Sequence, residues 1–146
     1  MEVSARVRVA RPRPAVFAAW AALERAGEYS DTVIERRKVT DGPTSRGTRF
    51  AAIDRWPGRD VAFTVEVTDF DPPGRMAAVW SEPLTGGWDA IFEDVDGDTE
   101  LTFHASVNPG GLLRLLGPFL RPWVARQTTR SLAAFRAWVE SGAAAG

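Results

Sequence analysis

The chain has 146 residues, 45% of them hydrophobic, which suits one domain with one core and leaves little for a second. Its formal net charge of -1 gives no overall field that would recruit nucleic acid or an anionic membrane, and zero cysteines exclude disulfides and thiolate metal sites. No stretch of ~20 apolar residues and no charged leader before an apolar run is present, so stable membrane insertion is not expected and a cytoplasmic location is.

Val3, Ala5, Val7 and Val9 alternate with Ser4, Arg6 and Arg8, the period of a half-exposed strand. Arg11-Pro12-Arg13-Pro14 stops it, and proline suits a first helical turn, so a helix is predicted from about Pro14 to Leu23 with Val16, Phe17, Trp20 and Leu23 inward. Glu24 to Ser30 adds a second short helix ending near Gly27. Strands are then predicted at Thr32 to Val39, Thr48 to Arg55 and Asp60 to Phe70, separated by Asp41-Gly42-Pro43 and Trp56-Pro57-Gly58. Val61, Phe63, Val65 and Val67 share one face of the clearest of these. After Asp71-Pro72-Pro73-Gly74 come strands at Met76 to Ser81, Trp88 to Val95 and Glu100 to Val107, divided by Thr85-Gly86-Gly87 and by the tight-hairpin signal Asp96-Gly97.

The last stretch, Asn108 to Ser141, is helical in period. Leu112, Leu116, Phe119 and Trp123 recur on one face, continued by Leu132, Phe135 and Val139, while Arg114, Arg121, Arg126, Arg130 and Arg136 largely hold the other. Gly117-Pro118 and Pro122 break the pattern early, predicting a short helix, a kink and a long helix. Gly142 to Gly146 reads as a frayed, flexible tail. Charge is uneven: Met76 to Leu113 contains no Lys or Arg and carries Glu82, Asp89, Glu93, Asp94, Asp96, Asp98 and Glu100. A basic helix offset by acidic hairpins accounts for this on a neutral protein.

Short turns between consecutive strands imply antiparallel pairing. A sheet of six to seven such strands curves, and its apolar face needs a cover that the last helix supplies. The fold class is therefore α+β, a curved antiparallel sheet wrapped around a long C-terminal helix, with one or two short helices after the first strand.

In this order and spacing, Arg11-Pro12-Arg13-Pro14-Ala15-Val16-Phe17, Gly42-Pro43 leading to Gly47-Thr48-Arg49-Phe50, Val67-Thr68-Asp69-Phe70-Asp71-Pro72-Pro73, Gly97-Asp98-Thr99-Glu100-Leu101-Thr102 and Ser131-Leu132-Ala133-Ala134-Phe135 resemble the START-like, helix-grip (SRPBCC) superfamily. Within it they resemble the polyketide cyclase/dehydrase-like branch, over nearly the whole chain. The resemblance implies a hydrophobic cavity between sheet and helix. Members of the superfamily include aromatising cyclases, lipid carriers, hormone receptors, allergens and chaperone activators, so the fold leaves the activity open. The matching motifs carry no catalytic residue to transfer.

Strand alternation puts Phe50, Phe63, Trp80, Trp88, Phe92 and Phe103 on the inner face, with Phe119 and Trp123 from the helix. These rings either fill a core or line a pocket for a flat or apolar ligand. Asp54, in phase with Phe50 and Ala52, and Gln127, on the helix's apolar side, are the candidate polar groups of that cavity; each either faces it or sits at an exposed edge. Asp54 is the candidate catalytic group. His104, the only histidine, alternates out of phase with Leu101, Phe103, Ala105 and Val107 and points outward. A Cys-His nucleophile and a multi-histidine zinc site are excluded, and a Ser-His-Asp triad lacks partners in any motif. Asp94, Asp96, Asp98 and Glu100 lack the glycine placement of a calcium loop and read as a hairpin turn. Glu35-Arg36-Arg37-Lys38 reads as a solvated strand face. The expected function is binding of a small hydrophobic ligand, aromatic or polyketide-like, with no metal and no cofactor. Cofactor-free cyclisation or dehydration is one form of it; a lipid or metabolite carrier or sensor and a chaperone-activator-like interaction module are the alternatives. Oligomeric state is left open.

Overall fold

The computed structural model describes residues 1–81 and 83–145, and all side chains among them except those of Leu112 and Leu113. Glu82 of the acidic run, Gly146 of the tail and the Leu112 side chain of the helical stripe lie outside the described residues.

Among the described residues the order is β1 (Glu2–Val9), α1 (Arg13–Ala21), β2 (Val33–Lys38), β3 (Arg49–Trp56), β4 (Arg59–Asp71), β5 (Arg75–Trp80), β6 (Leu84–Val95), β7 (Asp98–Pro109) and α2 (Gly117–Glu140), with 3-10 segments at Leu23–Glu28, Gly111–Leu116 and Ala143–Ala145. The strands form one antiparallel sheet in the order β1-β7-β6-β5-β4-β3-β2. From β2 to β7 each strand pairs with the next, while β1 and β2 lie at opposite edges and β7 closes the order by pairing with β1. Asp96 and Gly97 take positive φ at the tip of the β6–β7 hairpin, and the Asp94 side chain accepts the Gly97 N–H at 3.1 Å. The acidic run there is a turn, and the alternation of β4 also holds, with Val61, Phe63, Val65 and Val67 buried.

The predicted turn at Thr85-Gly86-Gly87 is instead the start of β6, which begins at Leu84. A side chain at Gly87 would meet the Ala78 carbonyl at 2.1 Å, and one at Gly86 the Ser106 carbonyl at 2.1 Å. Glycine there lets the backbones of β5, β6 and β7 approach closely, rather than ending one of them.

Helix α2 crosses the concave face. Phe135, at 0% exposure, meets Trp20 of α1 edge-on at 5.2 Å, and Trp123 packs on Trp56 of β3 at 5.3 Å. At its far end Glu140 accepts the backbone N–H of Ala10 at 2.8 Å, and Arg11 donates to the Glu140 carbonyl at 2.7 Å. Pro118 occupies the first helical turn, where no N–H is needed, and Pro122 lies inside the helix. The stretch before Gly117 is 3-10 and not α, so the 3.6-residue period does not extend back through it. The buried stripe is Leu120, Val124, Leu132, Phe135, Trp138 and Val139, while Leu116 and Phe119 are exposed. In the tail, Ala143–Ala145 forms a 3-10 turn whose Ala143 and Ala144 carbonyls accept from Arg25 at 3.0 and 2.8 Å.

Candidate functional site: a cavity under the C-terminal helix

Between the sheet and α2 lies a partly open cavity of about 210 Å³. This is below the ~300–1,000 Å³ of sites that hold drug-sized molecules. Its wall is mainly apolar: Trp20 and Leu23 from the first helical region, Trp56, Phe63, Val65, Trp80, Leu84, Trp88, Phe103 and Val107 from the strands, and Trp123, Val124 and Leu132 from α2.

Trp20 is the centre of the aromatic cluster. Its ring meets Trp88 and Phe103 at 5.6 Å, besides Phe135, in edge-on or tilted geometries that aromatic quadrupoles favour. Its buried Nε1 has no hydrogen-bond partner among the described residues. An unmade bond of this kind costs free energy in an apolar surrounding.

One end of the cavity is polar. Arg36 of β2 grips Asp54 of β3 with both terminal guanidinium nitrogens, Nη1 and Nη2, at 2.5 and 3.2 Å, and the two side chains are only 14% and 20% exposed. The same guanidinium donates to the Glu35 carbonyl and lies 5.4 Å over the Phe63 ring. A register shift between Val33 and Glu35 accompanies this inward turn of the edge strand. Tyr29 also lines the cavity, packed on Phe135 and Trp138; burial pushes its phenol above the usual range, while the nearby Arg36 charge pulls the other way. Across the cavity edge, Gln127 donates to Asp31 at 3.0 Å and Thr32 at 3.3 Å, and the Ser30 and Ser131 hydroxyls meet at 3.1 Å. These bonds strap α2 to the segment before β2.

Of the ten residues proposed from sequence, the structure brings Asp54, Phe63, Trp80, Trp88, Phe103, Trp123 and Gln127 to the cavity wall. Phe50 and Phe92 are fully enclosed in the core, Phe92 by Phe17 and Trp20, and do not line it. Phe119, one turn before Trp123 in the first turn of α2, is 79% exposed and does not line the cavity. Arg36, read from its charged neighbours as solvated, is a wall residue because Asp54 pairs with it inside. Trp20, Tyr29 and Trp56 were not proposed. Trp56 follows Asp54 by two residues in the same alternation and was legible on that ground; Tyr29 sits in a 3-10 region with no period to read.

His104 does point outward. Its Nδ1 meets the Ser4 hydroxyl at 2.7 Å and its Nε2 the Glu2 carboxylate at 3.0 Å, so partners absent from any motif are present in space. All three lie on the exposed face of the β1–β7 ladder, away from the cavity.

No family model matches the sequence, and no curated protein matches it by sequence. Solved structures do match in fold. A protein from Thermus thermophilus superposes with a TM-score of 0.82 at 17% identity, over 97% of this chain and 99% of that one. A START superfamily protein from Mycobacterium smegmatis gives 0.81 at 12% identity, over 96% and 97%. The Zhui aromatase/cyclase from a Streptomyces species gives 0.78 at 16% identity, over 98% and 95%.

Proposed function

We propose that this chain, which has the START-like helix-grip fold, binds a small hydrophobic molecule of one or two aromatic rings in the cavity under α2. The observation that carries the reading is the cavity's division into an aromatic body and one polar end. Trp20, Trp56, Trp88 and Phe103 offer faces and edges to a flat ligand, and Arg36 offers cationic N–H groups to an oxygen at its end. A volume of about 210 Å³ favours a compact ligand over a long chain.

Likeness to an aromatase/cyclase supports a second, catalytic form of the same reading. The rings would fold a reactive polyketide-like chain, Arg36 would polarise a carbonyl, and water would carry protons, with no cofactor. Asp54, the sequence candidate for the base, has both oxygens engaged by Arg36, which favours binding over proton transfer at that carboxylate.

The test is thermal unfolding with a panel of one- and two-ring phenols and ketones, fatty acids and longer polyketide mimics. A melting shift confined to the compact aromatic compounds is the expected result, since only a ligand of the native state stabilises it. Shifts from fatty acids alone, or from nothing, refute this choice of ligand; a new product on incubation selects the catalytic form.

A further inference from the structure

The charges inside the cavity cancel. Among the described residues of its wall only Arg36, Asp54 and Arg55 are charged, and Arg55 is exposed, out of phase with Asp54 and Trp56 along β3. At the cavity edge Asp31 and Arg130 satisfy each other at 2.8 Å. The inward charge is therefore the Arg36–Asp54 pair alone, matched at two points and mostly shielded from water. Its hydrogen-bonding capacity is not used up. Of the five guanidinium N–H groups, two go to Asp54 and one to the Glu35 carbonyl, which leaves two without a partner among the described residues. Tyr29, on the wall and close enough to Arg36 to feel its charge, adds a phenol that is neutral at pH 7. This end of the cavity keeps donors to spare but no charge to spare.

We propose that the Arg36–Asp54 pair sets the charge of the ligand: the cavity takes an aromatic molecule whose polar end is an uncharged carbonyl or hydroxyl and turns away the matching carboxylate. The proposal rests on the cavity being the binding site of a compact aromatic molecule, as argued above, and goes on to name the chemical class of its polar end. A carboxylate entering an apolar cavity gives up its water and needs an unmatched cation in exchange. Arg36 is already matched, and the Asp54 oxygens beside it repel a second anion. A neutral carbonyl oxygen gives up far less water and needs only an N–H. Asp54 is then a specificity residue that acts through Arg36, and its effect should be reversible by substitution. Asp54→Asn keeps the shape of the side chain and leaves Arg36 an unmatched cation among aromatic rings, with a fork of N–H groups suited to a carboxylate.

The test is isothermal titration of the full chain at pH 7 with two compounds of nearly one shape, acetylnaphthalene and naphthoate. The ketone should bind the wild type at least about tenfold more tightly than the carboxylate. Asp54→Asn should reverse that order. A second measurement needs no variant. As pH falls from 7 towards the compound's own carboxyl range, the wild type should bind naphthoic acid about tenfold more tightly per pH unit, because only its neutral form enters, while the ketone's affinity stays constant. Equal affinities for ketone and carboxylate in the wild type, a naphthoate affinity that does not change with pH, or an unchanged order in folded Asp54→Asn overturns the proposal and leaves the aromatic cavity standing. Binding of neither compound at any pH refutes the aromatic cavity, and this proposal with it.

Discussion

Arg36 and Asp54 hold each other across β2 and β3 as a two-point ion pair, mostly shielded from water, at one end of an otherwise aromatic cavity. Replacing Asp54 by Ala leaves a cation with little solvent around it and should destabilise the fold by about 1–3 kcal/mol, less than a fully buried pair loses. Replacing both partners, Arg36→Met with Asp54→Leu, should recover most of that loss in urea unfolding. It should not recover binding of oxygenated aromatic ligands. Recovery of both would make the pair purely structural.

Tyr29 is the only tyrosine, so its ionisation can be followed by ultraviolet absorption without assignment. Its phenol is raised above the ordinary 10.0 chiefly by burial. From about pH 10 upwards the unfolded chain therefore loses this proton while the folded chain keeps it, and stability falls with rising pH. Tyr29→Phe should remove that alkaline loss, and wild-type tyrosinate absorption should appear together with unfolding. A tyrosine that ionises near pH 10 in the folded protein would contradict its placement.

Glu140 works in the opposite direction. The Ala10 N–H, aided by Arg136 and Arg11, holds its carboxyl below the ordinary 4.5. Its contribution is present above that value and is lost as pH falls through the folded-state pKa, when the folded carboxylate takes up its proton. Urea midpoints measured from neutral pH into the acid range should fall less steeply in Glu140→Gln than in the wild type. Identical slopes would mean that this clasp contributes nothing measurable.

Phe92 and Phe103 separate core from cavity. Phe92→Leu removes a ring packed on Phe17 and Trp20 and should cost about 1–3 kcal/mol of stability with little change in ligand affinity. Phe103→Leu removes a ring of the cavity wall. It should weaken an aromatic ligand by about 3–10-fold, the value of one aromatic contact, with a smaller effect on stability. Calorimetric titration alongside unfolding measures both.

These particulars show what the chain announces and what it conceals. The strands were legible because β1, β3 and β4 alternate strictly, and the cover because α2 repeats apolar residues over many turns. Four of the eight aromatic wall residues, Phe63, Trp80, Trp88 and Phe103, follow from strand alternation. Structure and sequence pattern diverge where period and surroundings part. Phe119 keeps the period of Trp123 inside α2, yet its place in the first helical turn leaves it exposed, which period alone does not reveal, and Gly86-Gly87 reads as a turn because close strand approach and chain reversal both call for glycine. Arg36 was concealed by its charged neighbours: its place on the wall depends on Asp54, a partner on another strand that no local pattern reveals. Alternation also cannot distinguish Phe92, enclosed by α1, from Phe103, left open to the cavity, since both point inward.

The central claim is that the cavity takes up a compact aromatic ligand, and native mass spectrometry after incubation with one- and two-ring phenols tests it most directly. The comparison is the wild type against Ser131→Trp, a substitution that fills the cavity from α2. A one-to-one adduct is expected in the wild type and absent from the filled variant, while that variant stays folded. No adduct with any of these compounds, or an adduct equally abundant in both proteins, would contradict it.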